Sequence, residues 1–457
     1  MGNQLLVRAY KVGCGDCIYV RIPDGKDGFH ILIDYGTKSK EDVLRNAILH
    51  LESELPEGSK PEKKRLDLIV ATHRHEDHIK GFKPEWFANI EVKNIWLSVA
   101  MDPDHPQAKG VNNLRAFAKQ KMTALTNSGK ALSPEAEALT ALYGVSNDVA
   151  DALLMEQLPK DNGIEAKFVH SGMKHDLKLP AGTKIHILAP EKDVDHFYLG
   201  EEVDATLKGL QSFTTGSMGT ATGASAMPAN ISSTDFKTLQ SRMLSNGLAF
   251  AAKESSIQNN LSVVLLIEWK KRRLLFVGDA EWAGEFKAGK DNGSWNVMWE
   301  MHRDTHLAQP LDFLKVGHHG STNATPHPPE LLPPNKKAAK DGVYSILDTI
   351  LPVPKSGSKP TAQAIVSTAR EEYAPIPEGK LLVELARRVS NTRNYGKALK
   401  DASKDPQLIW TSNRAKKGKY FEDYEKAFLD LPQPLRTDLE FELSNQDFVE
   451  VELKPGR

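Results

Sequence analysis

A chain of 457 residues, 40% hydrophobic and 26% charged, carries enough apolar material for a large folded core, which excludes wholesale disorder. A formal net charge of −1 leaves no bulk positive field to draw it to nucleic acid, so such a partner would need a local basic groove. No apolar run approaches the roughly 18 residues of a membrane helix, and the N-terminal segment lacks the charged-apolar-small pattern of a leader; the expected setting is cytoplasmic, with no membrane partner.

The first hundred residues read as β-rich. Runs at 5–12 and 17–22 are rich in β-branched and aromatic residues and are parted by Gly13 and Gly15. The only cysteines, Cys14 and Cys17, form a Cys-x-x-Cys pair; with no second pair, and with Gly13, Gly15 and Asp16 around them, the spacing reads as a tight turn rather than a redox or zinc motif. A Pro23-Asp24-Gly25 turn leads into a strand at 29–33 that ends at Asp34. Val43, Leu44, Ile48, Leu51 and Leu55 recur at three- and four-residue spacing and predict a helix over 43–55. A buried strand at 66–71 runs into Thr72-His73-Arg74-His75-Glu76-Asp77-His78, and a further strand is expected at 95–98.

Residues 103–165 turn helical and polar, with Ser133-Pro134-Glu135 as a helix start, and read as a helical insertion over one edge of the site. Strands return at 166–170 and 183–188. The segment 214–234 is rich in Thr, Ser, Gly and Ala, and predicts a mobile loop inside a flexible insertion at 200–250. Strands at 261–269 and 273–277 flank a Lys270-Lys271-Arg272 turn. A strand at 311–316 then runs into Gly317-His318-His319-Gly320-Ser321. Pro- and Lys-rich residues 326–360 read as a surface insertion, followed by a strand at 364–367, a helix at 379–388 and a closing strand at 438–443. No repeat of 20–50 residues is visible, so 1–457 reads as one domain with three insertions.

The chemistry concentrates in His73, His75, Asp77 and His78, which are four possible ligands within six residues of a chain holding 15 histidines. Alternate residues of an extended or sharply turned segment point the same way, so His73 and His75 can face one ion, and the turn sends Asp77 and His78 towards a second. Imidazole and carboxylate donors suit zinc, manganese or iron. Two ions need further ligands, and the chain supplies them at strand ends. Asp279 follows a buried apolar run and is the candidate bridging ligand. His318 and His319 end the next strand; one is expected to ligate and the other to support it or donate a proton. Asp34 ends a strand in the same manner and is suited to orienting a ligand histidine.

Asp34 after Ile31-Leu32-Ile33, the His-x-His-x-Asp-His run, Gly278-Asp279 and His318-His319-Gly320-Ser321 occur in the order of the metallo-β-lactamase superfamily, which the chain resembles. More narrowly it is similar to the hydrolase domain of the ComEC family. Val12-Gly13-x-Gly15-Asp16 resembles that family's opening turn, 260–264 its strand before Gly-Asp, Lys315-Val316-x-His318-His319-Gly320-Ser321 its last metal motif, and 364–367 with Tyr373 the place where its sheet resumes. The resemblance implies an α+β fold, a four-layer αββα sandwich with metals at one edge of the sheets. Two departures stand out. The membrane channel of ComEC proteins is missing, so a transport role does not carry over. The strand-end histidine usual between the first and last motifs has no clear counterpart among His170, His175 and His186; His170, after 166–169, is the best placed.

The resulting expectation is a metal-dependent hydrolase with two divalent ions, zinc ahead of manganese. Its metal ligands would be drawn from His73, His75, Asp77, His78, His170, Asp279 and His318, with Asp77 and His319 acting on the reacting groups. Phosphodiesters, including nucleic acid, are the leading substrates, with Lys315, Ser321 and Thr322 as phosphate contacts. Alternatives are a small ester, lactone, thioester or cyclic nucleotide, or a weakly active binding or regulatory subunit of a larger system. The basic runs 270–273, 336–337 and 416–419 favour nucleic acid if they line the metal cleft.

Overall fold

The computed structural model describes residues 3–108, 146–199, 251–283, 286–290, 292–321, 323–326, 345–367 and 447–456, with scattered positions at 111–123 and 376–390. The chain is mixed α/β. Strands β1 (Leu5–Tyr10), β2 (Cys17–Ile22), β3 (Phe29–Tyr35), β5 (Leu68–Ala71), β7 (Ile95–Ser98), β8 (Ala166–Val169) and β14 (Phe448–Leu453) form a seven-stranded sheet in the order β14-β1-β2-β3-β5-β7-β8. Its first half is antiparallel, and its second half, from β3 to β8, is parallel. Strands β9 (Thr183–Ala189), β10 (Val264–Trp269), β11 (Arg272–Phe276), β12 (Phe313–Val316) and β13 (Gln363–Val366) form a second sheet in the order β13-β12-β11-β10-β9, in which β11, β12 and β13 are parallel. Two short strands, β4 (Lys64–Leu66) and β6 (Ile90–Val92), pair separately.

The period-2 alternation of each strand decides what it packs against. Val7, Val20, Ile31, Ile33 and Val70 of the larger sheet meet Leu265, Ile267, Leu274, Phe276 and Phe313 of the smaller one in a shared core. The alternate residues Leu32, Ile69 and Leu97 face helix α1 (Asp42–Glu54) through its Leu44, Ile48 and Leu51. On the far side of the smaller sheet, Leu266, Leu275 and Leu314 pack against a helix at Ser294–His302 and another at Ile346–Ile350. Strands such as β1 and β3 are therefore buried on both faces, which is why they read as near-continuous apolar runs.

Several elements differ from the sequence expectation. The single strand expected at 66–71 is two strands of different sheets, β4 and β5. Asp67 breaks it, because its carboxylate accepts the backbone N–H of His30 at 2.9 Å and pairs with Arg65 at 3.0 Å. The Ser294–His302 helix was not anticipated: Ser294 to Trp299 are all buried, the polar Ser294 and Asn296 among them, so polarity does not mark an exposed face at helical period. The expected surface insertion at 326–360 contributes Ile346, Leu347 and Ile350 to the core, all at 0% exposure. The sheet closes with β14 along β1, whereas the strand expected at 438–443 lies outside the described residues, as do the 200–250 insertion, much of 103–165 and Tyr373. Among the described residues, no helix is long and apolar enough to cross a membrane.

One polar contact ties the sheets together. Lys315 of β12 is 3% exposed and holds the Asp16 carboxylate, from the β1–β2 turn, at 3.0 Å, while Ser367 after β13 donates to the other carboxylate oxygen. Burial alone would raise the Asp16 pKa, but the Lys315 ammonium together with His319 and His78 holds the carboxyl below its ordinary range. Removing one partner strands a buried charge. Lys315→Met is therefore expected to destabilise the protein by about 3–5 kcal/mol, read from urea unfolding at pH 7.

Candidate metal centre

Parallel strands deliver their C-terminal ends to a common edge, and the polar residues collect there. Asp34 sits near the end of β3 and Thr72-His73 directly follow β5. Asp279 lies three residues past β11, His318-His319 follow β12, and Ser367 follows β13. His75 precedes a single buried turn of helix, α2 (Glu76–Ile79), that carries Asp77 and His78. The approach is so close that a Cβ at Gly36 would lie 2.3 Å from the Asp77 carbonyl carbon and the His78 nitrogen; only glycine fits. Asp34, His318 and His319 adopt left-handed backbone with φ of 55°, 43° and 53°, a conformation that costs of order 1 kcal/mol or more per non-glycine residue.

Asp34 organises the cluster. Its Oδ1 accepts the Thr72 N–H, and its Oδ2 accepts the Thr72 hydroxyl, both at 2.7 Å; Oδ2 also faces His78 Nδ1 at 2.8 Å. These contacts fix protons. A carboxylate accepts, so His78 carries its proton on Nδ1 and points Nε2 inward, 3.1 Å from Asp279 Oδ2 but without hydrogen-bond alignment. Thr72 has given its hydroxyl hydrogen to Asp34, so His73 Nδ1, 3.1 Å away, donates to it and leaves a lone pair on Nε2. His319 repeats the pattern: Nδ1 faces the Ser367 carbonyl at 3.1 Å, so Nε2 presents its lone pair 3.2 Å from Asp77 Oδ2.

Ring nitrogens and carboxylate oxygens thus converge, with His73 Nε2 2.9 Å from His75 Nδ1 and His319 Nε2 3.2 Å from Asp77 Oδ2. Three sets of buried donor atoms each lie within 4.8 Å of one another, namely His73, His75 and Asp279; Asp77, His78, Asp279 and His319; and Asp16, Asp34 and His78. Asp77 Oδ1 and His78 Nε2 are buried with no hydrogen-bond partner. The grouped carboxylates Asp16, Asp34, Asp77 and Asp279 have two ammonium partners, Lys38 on Asp77 at 2.9 Å and Lys315 on Asp16, and a His78 ring whose pKa is raised between Asp34 and Asp279, which still leaves an excess of negative charge. Such a donor set fits a cation, and these buried His/Asp groups can hold a metal ion.

The same field appears in the titration behaviour. Burial would lower His78, but Asp279 and Asp34 on either side push it well above its ordinary value. Burial would raise Asp77 and Asp279; Lys38 with His319, and His78 with His318, hold them well below the carboxylate range. Burial pushes His75 down to about 3, and with its neighbouring imidazoles pushes His73 well down, so both stay neutral, the form that ligates.

Of the residues singled out in the sequence, the structure brings together His73, His75, Asp77, His78, Asp279 and His319. It turns the expected roles of the last histidines around: His319 is fully buried among the donors, while the His318 ring, 25% exposed, faces Glu281 Oε1 at 3.4 Å. His318 instead supports Asp279 through its backbone N–H, 3.0 Å from Oδ1. His170 is absent from all three donor groups and lies against the Ser171 carbonyl at 2.9 Å. His175 and His186 line a separate groove of about 540 Å³ along β9. Lys315 faces the buried Asp16 rather than a phosphate, Ser321 bonds Asn323, and Thr322 lies outside the described residues. Cys14, in the β1–β2 turn, and Cys17, the first residue of β2, are buried thiols. Sequence reasoning missed Lys38 and gave Asp16 only a place in a turn; their partners stand 39 and 299 positions away, so no local spacing marks them.

No protein-family model matches the chain, and no curated protein matches its sequence. The geometry alone yields a test. Asp34→Asn keeps a residue that tolerates left-handed backbone but cannot accept from both Thr72 and His78 as before. It is expected to weaken zinc affinity by about 10–100-fold with unchanged far-UV circular dichroism, measured by competition with a chromophoric chelator.

Proposed function

We propose that the protein is a metal-dependent hydrolase of the metallo-β-lactamase superfamily, similar to the ComEC hydrolase domain, acting on phosphodiesters. The observation that carries this reading is the adjacency of two buried donor groups, His73, His75 and Asp279 and Asp77, His78, Asp279 and His319, a donor set that would suit two divalent ions. Support comes also from the motif order and from the layering, with helices outside two facing sheets and the donors at one edge. Imidazole and carboxylate donors favour zinc, with manganese as the alternative.

In this reading His73, His75 and Asp279 would hold one ion, and Asp77, His78, Asp279 and His319 would hold the other. The chemistry such ions supply is activation of a water and neutralisation of charge during in-line displacement at phosphorus. The chain's own residues do the rest. Asp34, Thr72 and the Ser367 carbonyl keep the ring protons on the outer nitrogens. Asp77 keeps Oδ1 free of protein partners and so can orient the attacking water and take its proton. Burial of the donors excludes bulk water.

The basic run 270–273 bears on substrate size. It forms the turn between β10 and β11, at the opposite end of β11 from Asp279, about 20 Å away along the strand. Arg272 there pairs with Asp312 at 2.6 Å. This run does not line the donors, and 336–337 and 416–419 lie outside the described residues. Its placement favours a small diester or cyclic nucleotide over a long nucleic acid.

Elemental analysis of the full chain after zinc or manganese loading is expected to find close to two ions, with hydrolysis of bis-p-nitrophenyl phosphate. Asp279→Asn, which perturbs both donor groups, is expected to reduce metal content and to lower activity by about 100-fold or more. Wild-type protein that is folded yet takes up no metal would sink the proposal, as would full activity in Asp77→Ala.

A further inference from the structure

The grouped donors are almost sealed: His73, Asp77, His78, Asp279 and His319 are each at most 1% exposed. Lys38 is different. Its side chain is 21% exposed, yet its Nζ lies 2.9 Å from Asp77 Oδ2, so a side chain that reaches the surface carries its ammonium in to a buried carboxylate. The backbone that carries it is fixed. The Lys38 N–H donates to the Cys14 carbonyl at 2.8 Å, and the preceding Thr37 hydroxyl donates to the Val12 carbonyl.

The neighbouring cations are committed elsewhere. Lys315 is buried on Asp16; Arg74 binds the Met101 carbonyl and the Asn112 side chain and pairs with Asp151; Lys80 pairs with Glu76 at 2.8 Å. Among the described residues, Lys38 is the ammonium paired with a carboxylate of the group Asp77, His78, Asp279 and His319, and its side chain is more exposed than that of Lys315. A cation held by Asp77 would leave the Lys38 ammonium partly uncompensated beside the donors.

We propose that Lys38 is the substrate-binding cation of this site, holding an anionic oxygen of the substrate beside the scissile bond and so selecting phosphoryl over neutral ester substrates. The inference rests on the hydrolase reading and deepens it by naming the charge the substrate must carry. An ammonium is suited to this: it is a compact point charge with three donors, so it can keep one hydrogen bond to Asp77 while directing another to a phosphoryl oxygen. A charge-assisted hydrogen bond of this kind is worth roughly a tenfold to hundredfold change in affinity.

The test uses zinc-loaded full-length protein and inorganic phosphate as the probe, with affinity measured by calorimetry and zinc content measured alongside. Wild type is expected to bind phosphate. Lys38→Met is expected to bind it at least about tenfold more weakly at unchanged zinc content, and Lys38→Arg within about threefold of wild type. Lys38→Gln, which keeps a donor for Asp77 but no charge, is expected to behave as Lys38→Met and stands in for it if the methionine variant does not fold. Phosphate affinity insensitive to the charge at position 38, or no phosphate binding by zinc-loaded wild type, overturns the proposal. Parallel loss of zinc and phosphate in both uncharged variants, or failure of both to fold, assigns Lys38 to holding Asp77 and also overturns it. Absence of zinc uptake by wild type is a separate result that removes the hydrolase reading along with this one.

Discussion

A single buried carboxylate sets the terms for the whole centre. Asp34 accepts two hydrogen bonds from Thr72 and a third from His78, and through the Thr72 hydroxyl it also governs His73. Burial raises its pKa and His78 works against that rise, so its charge is balanced locally rather than by solvent. Without it, neither ring would have a preferred tautomer, and the inward-facing nitrogens would be as apt to donate as to accept. The backbone at Asp34 is held at positive φ, which aims the carboxylate back under the cluster; packing around β3, buried along its whole length, sustains that conformation.

Architecture then multiplies the effect. Each parallel strand of the two sheets ends at the same edge, so a short polar segment after each one suffices to place a donor. The larger sheet sends His73, His75, Asp77 and His78, while the smaller sends Asp279 and His319. Buried acidic groups at such density would be costly in an apolar interior. Here Lys38, Lys315 and a raised His78 supply part of the balance, and the remaining negative charge is what makes the place suited to a cation.

Much of this was legible in the sequence, for reasons that also explain what was not. The strands at 17–22, 95–98 and 183–188 could be read because apolar runs bounded by turns are local signals. The His-x-His-x-Asp-His run could be read because its ligands are neighbours in the chain. Asp67 was hidden because it sits inside an apolar stretch and acts through the backbone of His30. The helix Ser294–His302 was hidden because its polar Ser294 and Asn296 are buried along with its apolar residues. Strand β14 did carry a signal, Phe448, Val449, Val451 and Leu453 alternating with Glu450 and Glu452, but its partner β1 lies at the other end of the chain. The roles of His318 and His319 were undecidable from spacing, since adjacent residues diverge only when backbone dihedrals are known, and here both are left-handed. Lys38 and Asp16 gain meaning only from pairings across the fold.

The division of donors between the two sheets has a thermodynamic side. A cation seated there would be a cross-link between layers that the unfolded chain cannot reproduce, because its ligands would then be separated by as many as 246 residues, from His73 to His319. Binding to the native state alone adds stability by mass action, about 2.7 kcal/mol at a free concentration one hundred times the dissociation constant. The melting temperature of this protein would then report the free metal in its surroundings, and a change in metal supply would be felt first as a change in how firmly the two sheets are joined.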